Sequence, residues 1–196
     1  MSPPGKKVKT NPNKGSTAKV AIKVVTFKDI WKAYPSDAPV HLNRKTNKDL
    51  YKSHCAIKVG EALLNAGISL KSFTGGKCQY CPRTDRQRHP LLAQALAKWL
   101  SLRPFPGCSA PLKSDGAHYE KDFDDKTGII FFADYWQRDG ETGEQRSGDH
   151  IDLWDDKTLA SIGTFESFVR VNVGFSIDGW FSDFGKAKQV LFWEIK

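Results

Sequence analysis

The chain lacks any apolar run approaching the roughly eighteen residues that a membrane-crossing helix requires, and its basic N-terminus is not followed by the apolar stretch of a secretory signal. Neither membrane insertion nor general export is therefore expected. Four cysteines among 196 residues are too few for a disulfide scaffold, whose members are shorter and richer in cysteine. One or more of the four is thus available for chemistry. No internal repeat is present. Large apolar side chains are plentiful, with six Trp and twelve Phe in a chain that is 39% hydrophobic, enough to build one core without metals or staples. The length suits one domain with a tail, and two full domains would be cramped.

The net charge of +8 comes partly from Lys6, Lys7, Lys9, Lys14, Lys19 and Lys23. It raises encounter rates with any polyanion and does not choose among nucleic acid, a membrane surface and an anionic cell wall. Residues 1–22 mix these lysines with Pro3, Pro4, Gly5, Pro12 and Gly15, a composition that buries too little surface to offset ordering entropy. They are read as a flexible basic tail, and residues 23–196 as the domain.

Within the domain, Phe27, Ile30, Trp31 and Tyr34 recur at helical spacing up to Pro35. Cys55, Ala56, Val59, Ala62, Leu63 and Ala66 mark a second helix face that stops at Gly67, a natural terminator, with Ser53 placed to cap it. Leu91, Leu92, Ala95, Leu96, Trp99 and Leu100 form a third helix, ended by Pro104 and Pro106. Strands follow at Ile129 to Phe132, His150 to Trp154, Lys157 to Ile162 after an Asp155-Asp156 turn, Phe168 to Phe175 and Val190 to Ile195. Helices first and strands later predict an α+β fold, with N-terminal helices packed on a small antiparallel sheet.

A cysteine is a nucleophile only as thiolate, and the first turn of a helix favours that state through its free N–H groups and macrodipole. Cys55 has this position, and its own backbone N–H is a candidate oxyanion donor. A base must be held nearby, and His150 at the start of a strand suits that role if the Cys55 helix crosses the sheet. By the period-two rule Asp152 shares the sheet face of His150, whereas Asp149 points the other way.

Ser53-His54-Cys55-Ala56-Ile57-Lys58-Val59, the Pro82-Arg83-Thr84 loop, Gly148-Asp149-His150-Ile151-Asp152-Leu153-Trp154 and the closing Val190-Leu191-Phe192-Trp193-Glu194-Ile195 resemble the fourth family of type VI secretion amidase effectors. The resemblance spans roughly Val25 to Lys196. It implies a papain-like fold of the NlpC superfamily and a cysteine amidase, without cofactor or metal, that cleaves the D-glutamyl to diaminopimelate amide of peptidoglycan stem peptides. It further implies delivery by the type VI apparatus into a rival's periplasm and a dedicated immunity protein that plugs the active-site groove. The matching positions are Cys55 as nucleophile and His150 as base. The family carries an aspartate on the strand after the histidine, where a two-residue turn at Asp155-Asp156 would place Ser161 opposite His150. A serine can orient an imidazole but offers no charge to imidazolium, so Asp152 is preferred as third residue and Ser161 is the alternative.

The remaining candidates have plainer readings. Cys78 and Cys81 form a Cys-X-X-Cys that could hold half a zinc site, work in redox chemistry or form a disulfide. Cys108 is a candidate disulfide partner for either, or with His89 could complete a Cys3His set. His54 faces away from its neighbour's chemistry, His41, His89 and His118 read as surface residues, and Trp136, Trp154, Trp180 and Trp193 as core, one ring of which could wall a substrate groove. The competing class is a basic nucleic-acid-binding module with a zinc or disulfide site at Cys78 and Cys81. It leaves the setting of Cys55 and His150 unexplained.

Overall fold

A computed structural model of the chain describes residues 7–9, 17–19, 24–142, 147–156, 158–163 and 184–196. The strand expected at Phe168 to Phe175, Trp180 and the start of the strand expected at Lys157 lie outside them. In the segment read as a flexible tail, β1 (Lys7–Lys9) and β2 (Thr17–Lys19) pair as a short antiparallel ribbon.

Helix α1 (Phe27–Lys32) begins in a capping box. The Thr26 hydroxyl accepts the Asp29 N–H at 3.3 Å, and the Asp29 carboxylate accepts the Thr26 N–H at 3.0 Å, which satisfies two donors that every helix start leaves over. The Phe27 N–H then donates to the Lys196 carbonyl at 3.1 Å, so the first helix is tied to the chain's last residue. Helix α2 (Cys55–Asn65) ends as its sequence requires. Gly67 takes φ +92°, the Ile68 N–H reaches the Leu63 carbonyl at 2.8 Å and the Gly67 N–H reaches Leu64 at 3.0 Å. These are the two bonds of a glycine-terminated helix end, and the left-handed φ is open to Gly without a Cβ penalty. Helix α3 (Ala93–Leu100) completes the helical layer, burying Leu96, Trp99 and Leu100.

The sheet behind these helices contains β3 (Leu112–Ser114), β4 (Thr127–Trp136), β5 (Gly148–Asp155), β6 (Thr158–Leu159) and β7 (Gln189–Glu194), in the order β3-β7-β4-β5-β6 and antiparallel throughout. Alternation along the strands gives each face its own core. Ile129, Phe131, Ile151, Leu153 and Trp193 pack toward α2 and α3. Ile130, Phe132, Trp154 and Phe192 face the other way, under Tyr119 of α4 (Tyr119–Asp122) and Phe123. Both faces of β4 are covered, which is why the expected strand Ile129 to Phe132 reads as a continuous apolar run. Strand β3 and α4 carry little apolar pattern and were not foreseen from sequence.

Two expectations are corrected. The residue before α2 is His54, not Ser53, and it makes no side-chain capping bond. The β5–β6 pairing sets Asp155 opposite Thr158, with Asp156 at φ +57° starting the turn, one residue later than the Asp155-Asp156 turn. After Leu159 the chain leaves the sheet as the short helix α5 (Ala160–Gly163), so Ser161 is not on a strand opposite His150. Trp154 and Trp193 are buried, whereas Trp136 is 45% exposed.

Helix α2 also meets the loop before α3, where a Cβ on Gly60 would collide with the ring of Pro90. Gly60→Ala should therefore destabilise the chain by about 1–2 kcal/mol despite better helix propensity. Thermal unfolding should show a midpoint lower by roughly 3–6 °C; an unchanged or higher midpoint would contradict the close packing of α2 on this loop.

Candidate active site

Cys55 is the first residue of α2, so the N–H groups of the opening turn have no acceptor within the helix and point at the space before it. Lys58 is the first to bond back, its N–H donating to the His54 carbonyl at 2.8 Å. The Cys55 sulfur lies 3.7 Å from the Ser53 hydroxyl and within electrostatic reach of the His150 ring and the Ile151 backbone N–H. Among the described residues β6 pairs with β5 only at Trp154 and Asp155.

His150 stands on β5 with its Nε2 3.4 Å from Asp152 Oδ2, two residues along the strand and on the same face. Asp152 is wholly buried and heavily bonded. Its Oδ1 accepts the Leu153 N–H at 2.8 Å, and its Oδ2 accepts the Ser161 N–H at 3.1 Å and the Ser161 hydroxyl. The Tyr34 phenol lies within reach of its charge. Ser161 thus donates to Asp152 through both its N–H and its hydroxyl. Asp149 faces elsewhere, accepting the Asp134 N–H at 3.1 Å.

The charges follow from these contacts. Burial works against a Cys55 thiolate, but the bond to His150, its charge, the Ser53 hydroxyl and the Ile151 N–H outweigh it and bring the thiol below its ordinary value. Burial likewise disfavours a charged His150, yet Asp152 and Cys55 on either side push it up to about 10. Asp152 is driven up by burial and down further by His150, Ser161 and Leu153, so it stays ionised. Burial and the Asp152 charge lift the Tyr34 phenol far above its usual range, which keeps it a neutral donor. The three shifts act together, each favouring the charged form: thiolate, imidazolium and carboxylate.

Two contributors escaped the sequence reading. Tyr34 carries the apolar spacing of the first helix, yet its ring lies under the Lys58 ammonium at 4.9 Å and its phenol feels the Asp152 charge. Phe184 lies 5.2 Å from the His150 ring and stacks on Phe132 at 4.2 Å, covering the imidazole from the side away from the helices. Neither carries a local motif.

The other predicted residues are elsewhere. All four cysteines are free thiols. Cys108 is buried with its sulfur 3.5 Å from the Leu100 carbonyl, away from Cys78 and Cys81, and so joins neither in a disulfide nor in a Cys3His set. His41 and His89, read as surface residues, are fully buried and lie beside Cys78 and Cys81. His118 is exposed and pairs with Asp115 at 2.7 Å. His54 pairs with Asp49 at 2.8 Å. Among the described residues no helix is long and apolar enough to cross a membrane.

A cysteine in the first turn of a helix, set against a histidine on an antiparallel sheet, is the layout of the papain-like, NlpC-type α+β fold. Residues 51–193 match the family described as type VI secretion system (T6SS), amidase effector protein 4, abbreviated Tae4. That is more than half of the chain, and the chain belongs to this family of peptidoglycan amidase effectors, which are delivered into target bacteria and act in the periplasm. No curated protein matches the sequence. Among solved structures, the type VI effector Tae4 from Enterobacter cloacae is similar at a TM-score of 0.57 and 16% identity, over 89% of this chain and 99% of the other. Tae4 of the Tae4/Tai4 effector–immunity system from Salmonella typhimurium is similar at 0.57 and 13%, over 89% and 100%. At these identities the likeness concerns the fold.

The lowered Cys55 value has a direct consequence. A thiol pKa below its ordinary value keeps thiolate present at pH values under about 8.5 and loses it only as pH falls through the folded value. Iodoacetamide should therefore alkylate Cys55 rapidly at neutral pH, read by mass spectrometry of the Cys55 peptide. In His150→Ala the two contributions of His150 are lost while burial and the Ser53 and Ile151 donors remain, and the alkylation midpoint should rise above that of the wild type. A midpoint that ignores His150 would contradict the ion pair. Asp152→Ala removes the acceptor of the Leu153 and Ser161 donors and should cost about 2–4 kcal/mol in denaturant unfolding; a neutral effect would mean that these bonds are not formed.

Proposed function

We propose that the chain hydrolyses the γ-D-glutamyl to meso-diaminopimelate amide of peptidoglycan stem peptides, with Cys55 as nucleophile, His150 as acid and base, and Asp152 as the residue that orients His150. The observation that supports this reading best is the His150–Asp152 pair at 3.4 Å on β5, set so that His150 favours the thiolate of Cys55 at the open end of α2. Membership of the amidase family supports the substrate class.

In this mechanism the Cys55 thiolate attacks the carbonyl carbon, and the oxygen that gains charge is met by the Cys55 backbone N–H at the helix start. As the C–N bond breaks, the His150 imidazolium gives its proton to the departing diaminopimelate amine. The D-glutamyl carbonyl is left as a thioester on Cys55. The now neutral imidazole takes a proton from water, the hydroxide attacks the thioester, and the C–S bond breaks to restore thiolate and imidazolium. Asp152 remains ionised throughout and holds the ring. Trp136, half exposed and paired with Gly148 two residues before His150, offers an apolar wall for the substrate peptide.

Residues 23–196 carry the enzyme in this reading, and the basic segment 1–22 is an appendage that concentrates the protein on an anionic sacculus. The Salmonella protein belongs to an effector–immunity system. By extension this chain is restrained in producing cells by a cognate immunity protein over the Cys55 groove.

Mass spectrometry of diaminopimelate-type muropeptides incubated with the chain should show loss of the D-glutamyl to diaminopimelate bond. Cys55→Ala should abolish it with an unchanged circular dichroism spectrum. Cleavage by Cys55→Ala, or of a different bond, would overturn the assignment of nucleophile or substrate respectively.

A further inference from the structure

Outside the active site, four metal-binding side chains converge that the proposed mechanism does not use. The Nε2 of His41, the Nδ1 of His89 and the sulfurs of Cys78 and Cys81 all lie within 4.8 Å of one another. We propose that His41, Cys78, Cys81 and His89 form a structural zinc site that clamps the loop before Cys55 to the loop before α3.

The geometry is that of a tetrahedral cage. Zn–S bonds of about 2.3 Å and Zn–N bonds of about 2.0 Å at tetrahedral angles require sulfur–nitrogen separations near 3.5 Å and a nitrogen–nitrogen separation near 3.3 Å. Cys81 Sγ lies 3.5 Å and Cys78 Sγ 3.9 Å from His89 Nδ1, and His41 Nε2 lies 2.9 Å from the same atom. Three of the four residues are fully buried, so nothing in solvent competes for their lone pairs. His41 Nδ1, by contrast, has no hydrogen bond of ordinary geometry, so that ring is held by its Nε2 side.

The surroundings are those of a metal ligand shell. His89 turns its other nitrogen, Nε2, to Glu61 Oε2 at 2.6 Å, and that carboxylate is in turn held by Arg83 at 2.6 Å and by Asn65 at 3.2 Å. A carboxylate on the far nitrogen fixes the tautomer that leaves Nδ1 free to bind metal. The Cys78 sulfur also accepts the His89 backbone N–H at 3.1 Å, a bond that suits thiolate. Two thiolates with two imidazoles select zinc over the hard cations, which prefer oxygen. Four protein ligands leave no open position for water, so the ion is structural and not catalytic.

Its effect reaches α2 from both sides. Glu61 lies on α2 itself, and His41 begins a loop in which Asp49 accepts the His41 N–H at 3.2 Å and pairs with His54, the residue before Cys55. The clamp is independent of the chemistry assigned to Cys55, and so is its test. It also keeps Cys78 and Cys81 out of a disulfide in an oxidising compartment.

The full chain, expressed with zinc and purified under reducing conditions without chelator, should carry about one zinc by plasma mass spectrometry. Expression with cobalt should give the intense visible absorption of a tetrahedral cobalt thiolate. The double variant Cys78→Ser/Cys81→Ser should lose the metal, and Cys108→Ser should keep it. A strong chelator should lower the wild-type unfolding midpoint by roughly 10 °C. A wild-type chain without stoichiometric zinc, or a double variant that retains it, overturns the proposal, and the first of these readouts does not depend on how any variant folds.

Discussion

The site depends on one buried charge. Asp152 is removed from water in the middle of the domain, a placement that is unfavourable unless every lone pair is met. The Leu153 and Ser161 N–H groups, the Ser161 hydroxyl and the His150 ring meet them. The helical turn α5 and strand β5 are therefore brought to one point by a single carboxylate. The same charge favours a protonated His150, and a protonated His150 favours an ionised Cys55. In the proposed mechanism the carboxylate therefore serves the fold and the chemistry together.

Much of this was legible in the sequence where the signal is local. Gly67 marks the end of α2 because only its backbone takes the left-handed turn without strain, and the apolar face from Ala56 to Ala66 marks the helix that leads there. Cys55 at the start of that helix follows. The alternation of His150 and Asp152 along one strand puts both on one face, and the structure shows them 3.4 Å apart. The α+β order of elements was equally plain.

What was not legible depends on contacts between distant parts of the chain. A one-residue difference in where the β5–β6 turn begins carries Ser161 from His150 to Asp152, and sequence pattern does not fix a turn to one residue. Tyr34 and Phe184 look like ordinary aromatic core positions until the fold sets them against Asp152 and His150. His41 and His89 gave no sign of burial, because nothing near them in sequence announces that two loops close over the Cys78-Cys81 pair. The pair itself was visible, with His89 as a possible ligand beside it, whereas His41 was not and Cys108 stands apart. The competing nucleic-acid reading shared that pair, but a cysteine and histidine cluster serves a binding module and an enzyme scaffold equally well, and family membership places this one in an amidase.

The central claim is that Asp152 and Cys55 hold His150 as a protonated ring well above neutrality. Heteronuclear NMR of the histidine ring nitrogens, followed through a pH titration, tests this directly. The account predicts that His150 stays protonated until about pH 10 and that Cys55→Ala lowers its midpoint. A His150 that titrates near the ordinary value of about 6.5, unchanged by Cys55→Ala, would contradict it.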